Sequence, residues 1–419
     1  MLKILKKKKF KLNLSWLIFD KLFRASLNIL LSVILARSLG PENYGILNYL
    51  LALIFLFTSF ASLGMNQVLT NIIIKSKNKN NHNIIMSAYY FRFIFSLISY
   101  FIFLIIINIL NNDDSYFNYS LIIGIAIILK SCEIFFSYFE ARSISKYIVI
   151  SQSFGIVVSI FFILFSIINS LDFIYIYYGL LIDVVVVFIF INLFYYLQVK
   201  NFFVQFNFSY LKKIIIKSLP VLVSSISIIL YMRIDQIMIN NMVGEYDLGI
   251  YSVSVRYIEI FHFIPKIIII SILPILILSK NYIYNLLTLN SYIFKLSIII
   301  CLIVHFSADF IIPLIFGEIY QNSVSTTKIL SFSIIFVFYG VVNEHWYISK
   351  NLQKYYAIYV FSGAIINVIL NYFLITKFGI EGAAYSTVLT YFFIIFTFDY
   401  FNYKTRNLLI IKLKSLFKI

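Results

Sequence analysis

The sequence predicts an all-α polytopic membrane protein of about 12 transmembrane helices, arranged as two six-helix lobes built from parallel repeats. Three observations carry that expectation. The chain is 62% hydrophobic and only 12% charged, with a mean hydropathy of +0.94, whereas average soluble domains are about 25% charged. Apolar runs of about 20 residues or more recur along its length, matching a hydrocarbon core ~30 Å thick when wound as helix. The basic residues behind the net charge of +17 sit in short clusters between alternate runs, a pattern of membrane topology rather than of nucleic-acid binding.

Taken in order, the first span is 14–36. It follows the basic stretch Met1–Lys11 and reaches Ala36 without a small-residue cleavage site, so it reads as a retained span rather than a removed signal peptide. Asp20, Lys21, Arg24, Asn28 and Ser32 fall within an arc of roughly 120°, with Arg24 near mid-membrane. Span 2 is 44–64. Span 3, 84–109, carries Arg92 on one side with Ser96 and Ser99. Span 4, 117–139, sets Lys130, Glu133, Ser137 and Glu140 within roughly 80°. Spans 5 and 6 are 147–168 and 173–198.

Span 7, 214–241, places Ser218, Ser225, Arg233, Gln236 and Asn240 within roughly 80°, with Asp235 pointing the other way and needing a partner of its own. A short polar turn leads to span 8, 247–278, where Gly249, Ser252, Arg256, Glu259, His262 and Lys266 share an arc of roughly 140°. Spans 9 to 12 are 291–316, 326–348, 355–375 and 380–401.

Basic loops alternate with acidic ones. Lys75, Arg142, Lys146, Lys212, Lys350 and both tails fall on one side, while Glu42, Asp113, Asp172, Glu245, Asp247, Glu318 and Glu381 fall on the other. Both termini are therefore expected on the cytoplasmic side. The expected organisation is an N-terminal lobe (1–200), a cytoplasmic linker (201–213), a C-terminal lobe (214–401) and a basic tail (402–419). Gly40 and Gly45 recur as Gly244 and Gly249, and Lys146-Tyr147 with Gly155 recur as Lys354-Tyr355 with Gly363. Six spans preserve orientation, so the repeats are parallel, and a midplane cleft between two such lobes is where transporters hold substrate.

An ionised side chain near the bilayer centre costs about 3 kcal/mol or more, so intramembrane charge marks a protein interior or a wet cavity. Arg24, Arg233 and Arg256, with Arg92 and Lys130, are the candidates for binding an anionic group. Arg233 has no acid on its own face, and Asp20 one turn before Arg24 can neutralise it. Lys130/Glu133 and Arg256/Glu259 are each spaced to neutralise themselves as i,i+3 pairs. Lys217, Lys266, Lys295 and Lys328 lie nearer span ends, where they can snorkel. Glu259, His262, Asp235 and Asp20 are the ion-coupling candidates. No Gly-rich phosphate loop or paired-Cys motif is present, and Glu344-His345 lacks the second His of a metalloprotease helix, so no cofactor, metal or ATP hydrolysis is expected. Cys132 and Cys301 lie within apolar runs, which argues against a disulfide. No loop is long enough for an appended catalytic domain.

Three stretches resemble signatures of one family: Ala36–Leu47 (ARSLGPENYGIL), Tyr231–Tyr251 (YMRIDQIMINNMVGEYDLGIY) and Asn367–Ser386 (NVILNYFLITKFGIEGAAYS). They are similar to stretches of the bacterial polysaccharide-export flippases, of the multidrug, oligosaccharidyl-lipid and polysaccharide exporter superfamily. The resemblance implies a flippase carrying undecaprenyl-diphosphate-linked oligosaccharide units to the outer leaflet for O-antigen, capsule or a related polymer. It implies a V-shaped pair of lobes whose cavity is lined by spans 1, 2, 7 and 8, with a glycan polymerase and chain-length regulator as partners. Arginine suits that cargo, because its planar fork bonds two phosphate oxygens while staying charged. A cation-coupled drug exporter of the same superfamily is the alternative, although its site should be acidic. A non-transporting membrane scaffold is another, although it leaves the Arg-bearing stripes without a purpose.

Overall fold

The computed structural model describes residues 8–75, 81–110, 114–199, 208–278, 281–350, 352–401 and 404–416. Every described element is helical: α1 (Lys8–Ser62), α2 (Met65–Lys75), α3 (Asn81–Leu110), α4 (Asp114–Leu129), α5 (Phe136–Ala141), α6 (Lys146–Ile168), α7 (Ile174–Val199), α8 (Phe208–Met242), α9 (Glu245–Glu259), α10 (Phe263–Leu278), α11 (Tyr282–Phe316), α12 (Ser323–Ser331), α13 (Ser333–Ser349), α14 (Gln353–Phe401) and α15 (Arg406–Leu416). Single 3₁₀ segments join α4 to α5, α9 to α10 and α11 to α12.

Eight helices among the described residues are long and apolar enough to cross a bilayer, or nine if α12 and α13, bent by 42°, form one span. The count differs from twelve at identifiable breaks. The 55 residues of α1 would reach about 80 Å as straight helix, far beyond the bilayer. Instead Gly40, with φ 69° and ψ 174°, interrupts it ahead of Pro41. That backbone region is essentially closed to residues with a Cβ, and Pro is suited to the first helical position that follows. Gly379, with φ 55° and ψ −134°, breaks the 49 residues of α14 without a following proline. Span 8 is split at Ile260–His262 into α9 and α10, each too short to qualify alone.

The chain forms two compact units, residues 1–31 with 53–226, and residues 32–52 with 227–419. These do not coincide with the six-span halves, because the hairpin 32–52 packs with the C-terminal spans and the first part of α8 packs with the N-terminal ones. In the first unit, Tyr89, Phe135, Tyr138 and Tyr195 pack as an aromatic core between α3, α5 and α7. In the second, Tyr339, Tyr359, Ile394 and Ile395 form a hydrophobic core between α13 and α14. Large apolar side chains such as Ile105, Phe161, Phe306 and Phe310 face outward, as a lipid-facing surface requires.

The repeated glycines explain the membership of 32–52. A Cβ on Gly45 would run into the Glu245 carbonyl, and one on Gly249 into the Pro41 carbonyl. Equivalent positions of the two repeats thus contact each other reciprocally, backbone to backbone. The Arg37 guanidinium adds two donations, Nε to Ile315 O at 2.7 Å and Nη2 to Leu314 O at 2.6 Å, capping carbonyls at the negative end of α11. The Tyr320 hydroxyl donates to Ala36 O at 2.7 Å. The second glycine pair is also equivalent in use. Gly155 lets α6 approach Asp183 of α7, and Gly363 lets the first part of α14 approach Ile394 in its second part.

Candidate functional site

In the second unit, α8 and α9 bring two arginines onto one carboxylate. Arg233 Nη2 lies 3.0 Å from Glu259 Oε1, and Arg256 Nη1 lies 3.1 Å from Glu259 Oε2. Arg256 Nη2 also donates to Asn48 Oδ1 at 3.4 Å. The expectation that Arg233 lacks an acid on its own face is met by an acid from the neighbouring helix, which a single-helix projection does not show. Arg256 and Glu259 do form the i,i+3 pair, but the carboxylate is shared. Two guanidinium charges against one carboxylate leave the group net positive, and the side chains remain 12% exposed for Arg233, 23% for Glu259 and 25% for Arg256.

Asp235 is buried on the opposite face of α8. Its Oδ1 accepts the Gln236 backbone N–H at 2.8 Å, and its Oδ2 accepts the Tyr251 hydroxyl in a short hydrogen bond. The partner that Asp235 needed is therefore a phenol, not a cation. A cavity within this unit is lined by Tyr231, Asp235, Tyr251, Glu259, His262 and Tyr391. Three of the four ion-coupling candidates thus share one cavity. His262 reaches it from the 3₁₀ turn after α9, and its Nε2 is buried without a protein partner. The fourth, Asp20, and its neighbour Lys21 have side chains outside the described residues.

The first unit holds the remaining candidates. Arg92 is 1% exposed, with Nη1 donating to Asn66 Oδ1 at 2.8 Å and Nη2 to Lys130 O at 3.0 Å and Glu133 Oε2 at 3.1 Å. Glu133 therefore pairs with Arg92, which corrects the expected Lys130/Glu133 pair. Residues i and i+3 eclipse in the 3₁₀ stretch Lys130–Phe135, so the two remain on one face, but the carboxylate is taken by an arginine of the neighbouring helix, which a single-helix projection does not show. Lys130 Nζ instead lies 5.3 Å from the Phe55 ring centroid.

Asp183, in the middle of α7, feels the charges of Arg24 and Lys130. The sequence reading passed over this residue. Its signal was available, as a lone acid in the apolar run IYIYYGLLIDVVVV. Arg24 is half-buried on α1. Lys217, Lys266 and Lys295 are exposed, in keeping with snorkelling. Lys328 pairs with Asp309 at 2.7 Å. Among the described residues no group of three or more His, Cys, Asp or Glu is placed to hold a metal, and Cys132 and Cys301 are buried and unbridged.

The Staphylococcus aureus capsular polysaccharide biosynthesis protein CapF is 23% identical over 403 residues, covering 93% of this chain and 98% of the relative. Among solved structures, the lipid II flippase MurJ in an inward closed conformation superposes with a TM-score of 0.75 at 17% identity, over 96% of this chain and 91% of that one. An inward-facing multidrug-resistance transporter of the MATE family does so with a TM-score of 0.64 at 13% identity, over 97% and 99%. These structural likenesses establish a shared all-helical fold. Residues 10–277 match the polysaccharide biosynthesis protein family, and with well over half its length accounted for in this way, the chain belongs to that family.

Proposed function

We propose that this protein is a flippase that moves undecaprenyl-diphosphate-linked oligosaccharide units across the bacterial inner membrane for assembly of a surface polysaccharide such as capsule or O-antigen. The observation that carries the reading is the net-positive Arg233–Glu259–Arg256 group, which remains partly open at a depth where charge is costly. Family membership and the transporter fold support the same class of cargo. In this reading Arg24, Arg233 and Arg256 hold the diphosphate, each by charge and paired N–H donors. Arg92, at 1% exposure, is closed to a cargo and fixes the packing of α3 against α2 and the 3₁₀ turn, and Lys130 biases Asp183. Twelve spans follow if α1 and α14 each cross twice, α12 and α13 cross once together, and α9 and α10 cross once together.

Transport proceeds by alternating access, with Glu259, His262 and Asp235 as the groups whose protonation biases one state over the other. A cation-coupled drug exporter is the second reading, favoured by the MATE likeness. The net charge of the arginine group separates the two, since a cationic drug would be repelled there. The test is expression in a strain lacking its own repeat-unit flippase. Restored surface polymer is expected. Drug resistance without polymer would replace this reading by the second one, and neither outcome would leave the scaffold alternative.

A further inference from the structure

The last described element is a helix, α15, that the sequence marks only as a basic tail. It packs against α11 and the end of α14, burying Leu408, Leu409 and Ile411. At its centre Lys412 is wholly buried. Its Nζ lies 2.5 Å from Asp399 Oδ2 and donates to Ile395 O at 2.7 Å. The Tyr347 hydroxyl donates to Asp399 Oδ1 at 2.6 Å, and Ser415 Oγ lies 3.0 Å from the Tyr339 hydroxyl. A buried ion pair is a poor source of net stability, but it is demanding in geometry. Here it fixes how α15 is rotated about its axis.

That rotation decides what faces outward. Arg406, Ile410, Leu413 and Lys414 form one exposed stripe at helical spacing. Ile410 and Leu413 are 44% and 43% exposed although the opposite face offers an apolar seat. The neighbourhood has the composition of a membrane–water boundary. Tyr400 and Phe401 are exposed, the Arg406 guanidinium lies 5.8 Å from the Tyr400 ring, and Lys404 Nζ lies 5.1 Å from the Tyr355 ring. Apolar side chains between cations are what an interfacial helix presents to acyl chains and headgroup phosphates.

We propose that α15 lies in the plane of the membrane surface, with Ile410 and Leu413 at the headgroup–acyl boundary and Arg406 and Lys414 on anionic phospholipid headgroups, its rotation set by the Lys412–Asp399 pair. The occupant of the stripe is the leaflet on the side of the C-terminus. A basic residue near an anionic leaflet contributes about 1 kcal/mol, so the two together predict a lipid preference of roughly 30-fold.

The test uses the full chain in nanodiscs. A nitroxide is placed at Ile410→Cys or Leu413→Cys in a Cys132→Ser/Cys301→Ser background, with Asn169→Cys in an exposed turn as the aqueous reference. Both α15 labels are expected to be more accessible to oxygen than to a water-soluble nickel chelate, the reverse of Asn169. Enrichment of phosphatidylglycerol over phosphatidylcholine around the protein is expected to fall at least several-fold in Arg406→Gln/Lys414→Gln. Water-like accessibility at both α15 positions overturns the proposal, including the case where they become shielded only when a protein partner is added. Unchanged phosphatidylglycerol enrichment in the double variant overturns the assignment of the two cations to headgroups.

Discussion

Glu259→Gln is the most informative single change in the arginine group. The carboxylate holds Arg233 through one oxygen and Arg256 through the other, at 3.0 Å and 3.1 Å. The two guanidinium groups, no more than ~8 Å apart, repel by about 2 kcal/mol at an effective dielectric of about 20 with or without the carboxylate, so what its neutralisation removes is the attraction that offsets this. Of two hydrogen bonds between charged partners, worth ~1.5–3 kcal/mol each, one falls to roughly half that value and the other is lost, because the amide nitrogen that replaces one carboxylate oxygen is itself a donor. The side chains keep between 12% and 25% exposure, so water screens part of both effects and a net loss of about 2–3 kcal/mol is expected. For a folded unit of roughly 200 residues that lowers the melting temperature by roughly 5–10 °C. The same change frees both guanidiniums for an anion. A short-chain prenyl diphosphate should therefore raise the melting temperature of the variant more than that of the wild type. The assay is thermal unfolding of purified protein in nanodiscs with and without that ligand. A variant that melts with the wild type and gains no extra shift would refute the reading of Glu259 as the counter-charge of a phosphate site.

Other expectations follow from the same geometry. Gly45→Ala and Gly249→Ala should each destabilise the second unit by about 1–3 kcal/mol, because each new Cβ meets a backbone carbonyl that a rotamer change cannot move; a wild-type melt for either would show that the two chains part there without cost. Glu259→Gln/His262→Asn should remove the dependence of transport on a proton gradient, measured in energised vesicles. Unchanged dependence would transfer coupling to Asp235, to be checked with Asp235→Asn. Reporter fusions at Lys75, Asn112, Gln205 and Lys377 should read in, out, in, out, and an outward reading at Gln205 would break the assignment of twelve spans to two six-span halves.

Much of this was legible because hydropathy, glycine spacing and charge are properties of the chain. The apolar runs marked an all-helical membrane protein, and the repeated Gly40/Gly45 and Gly244/Gly249 pairs marked a repeat whose reciprocal contact only the structure shows. The pairing of side chains was less legible. Helical projection paired Glu133 with Lys130, where the structure gives it Arg92 of α3. It treats each helix alone, so it also missed that Glu259 serves Arg233 as well as Arg256. Asp183 and Asp399 were visible as acids in apolar runs, but their significance depends on Arg24, Lys130 and Lys412, which lie far away in the sequence.

The central claim is that Arg24, Arg233 and Arg256 hold the diphosphate of the cargo. It is tested most directly by translocation of a fluorescent polyprenyl-diphosphate-linked saccharide in vesicles reconstituted with matched amounts of each variant. The account predicts that each Arg→Ala variant loses about tenfold or more in rate, the equivalent of one charge-assisted hydrogen bond, and that each Arg→Lys variant retains an intermediate rate. It also predicts that Arg256→Ala/Glu259→Gln, which removes the acid along with its partner, recovers at most part of the loss. Wild-type rates from all three Ala variants would contradict the claim for the three arginines, and full recovery by the double variant would contradict it for Arg256.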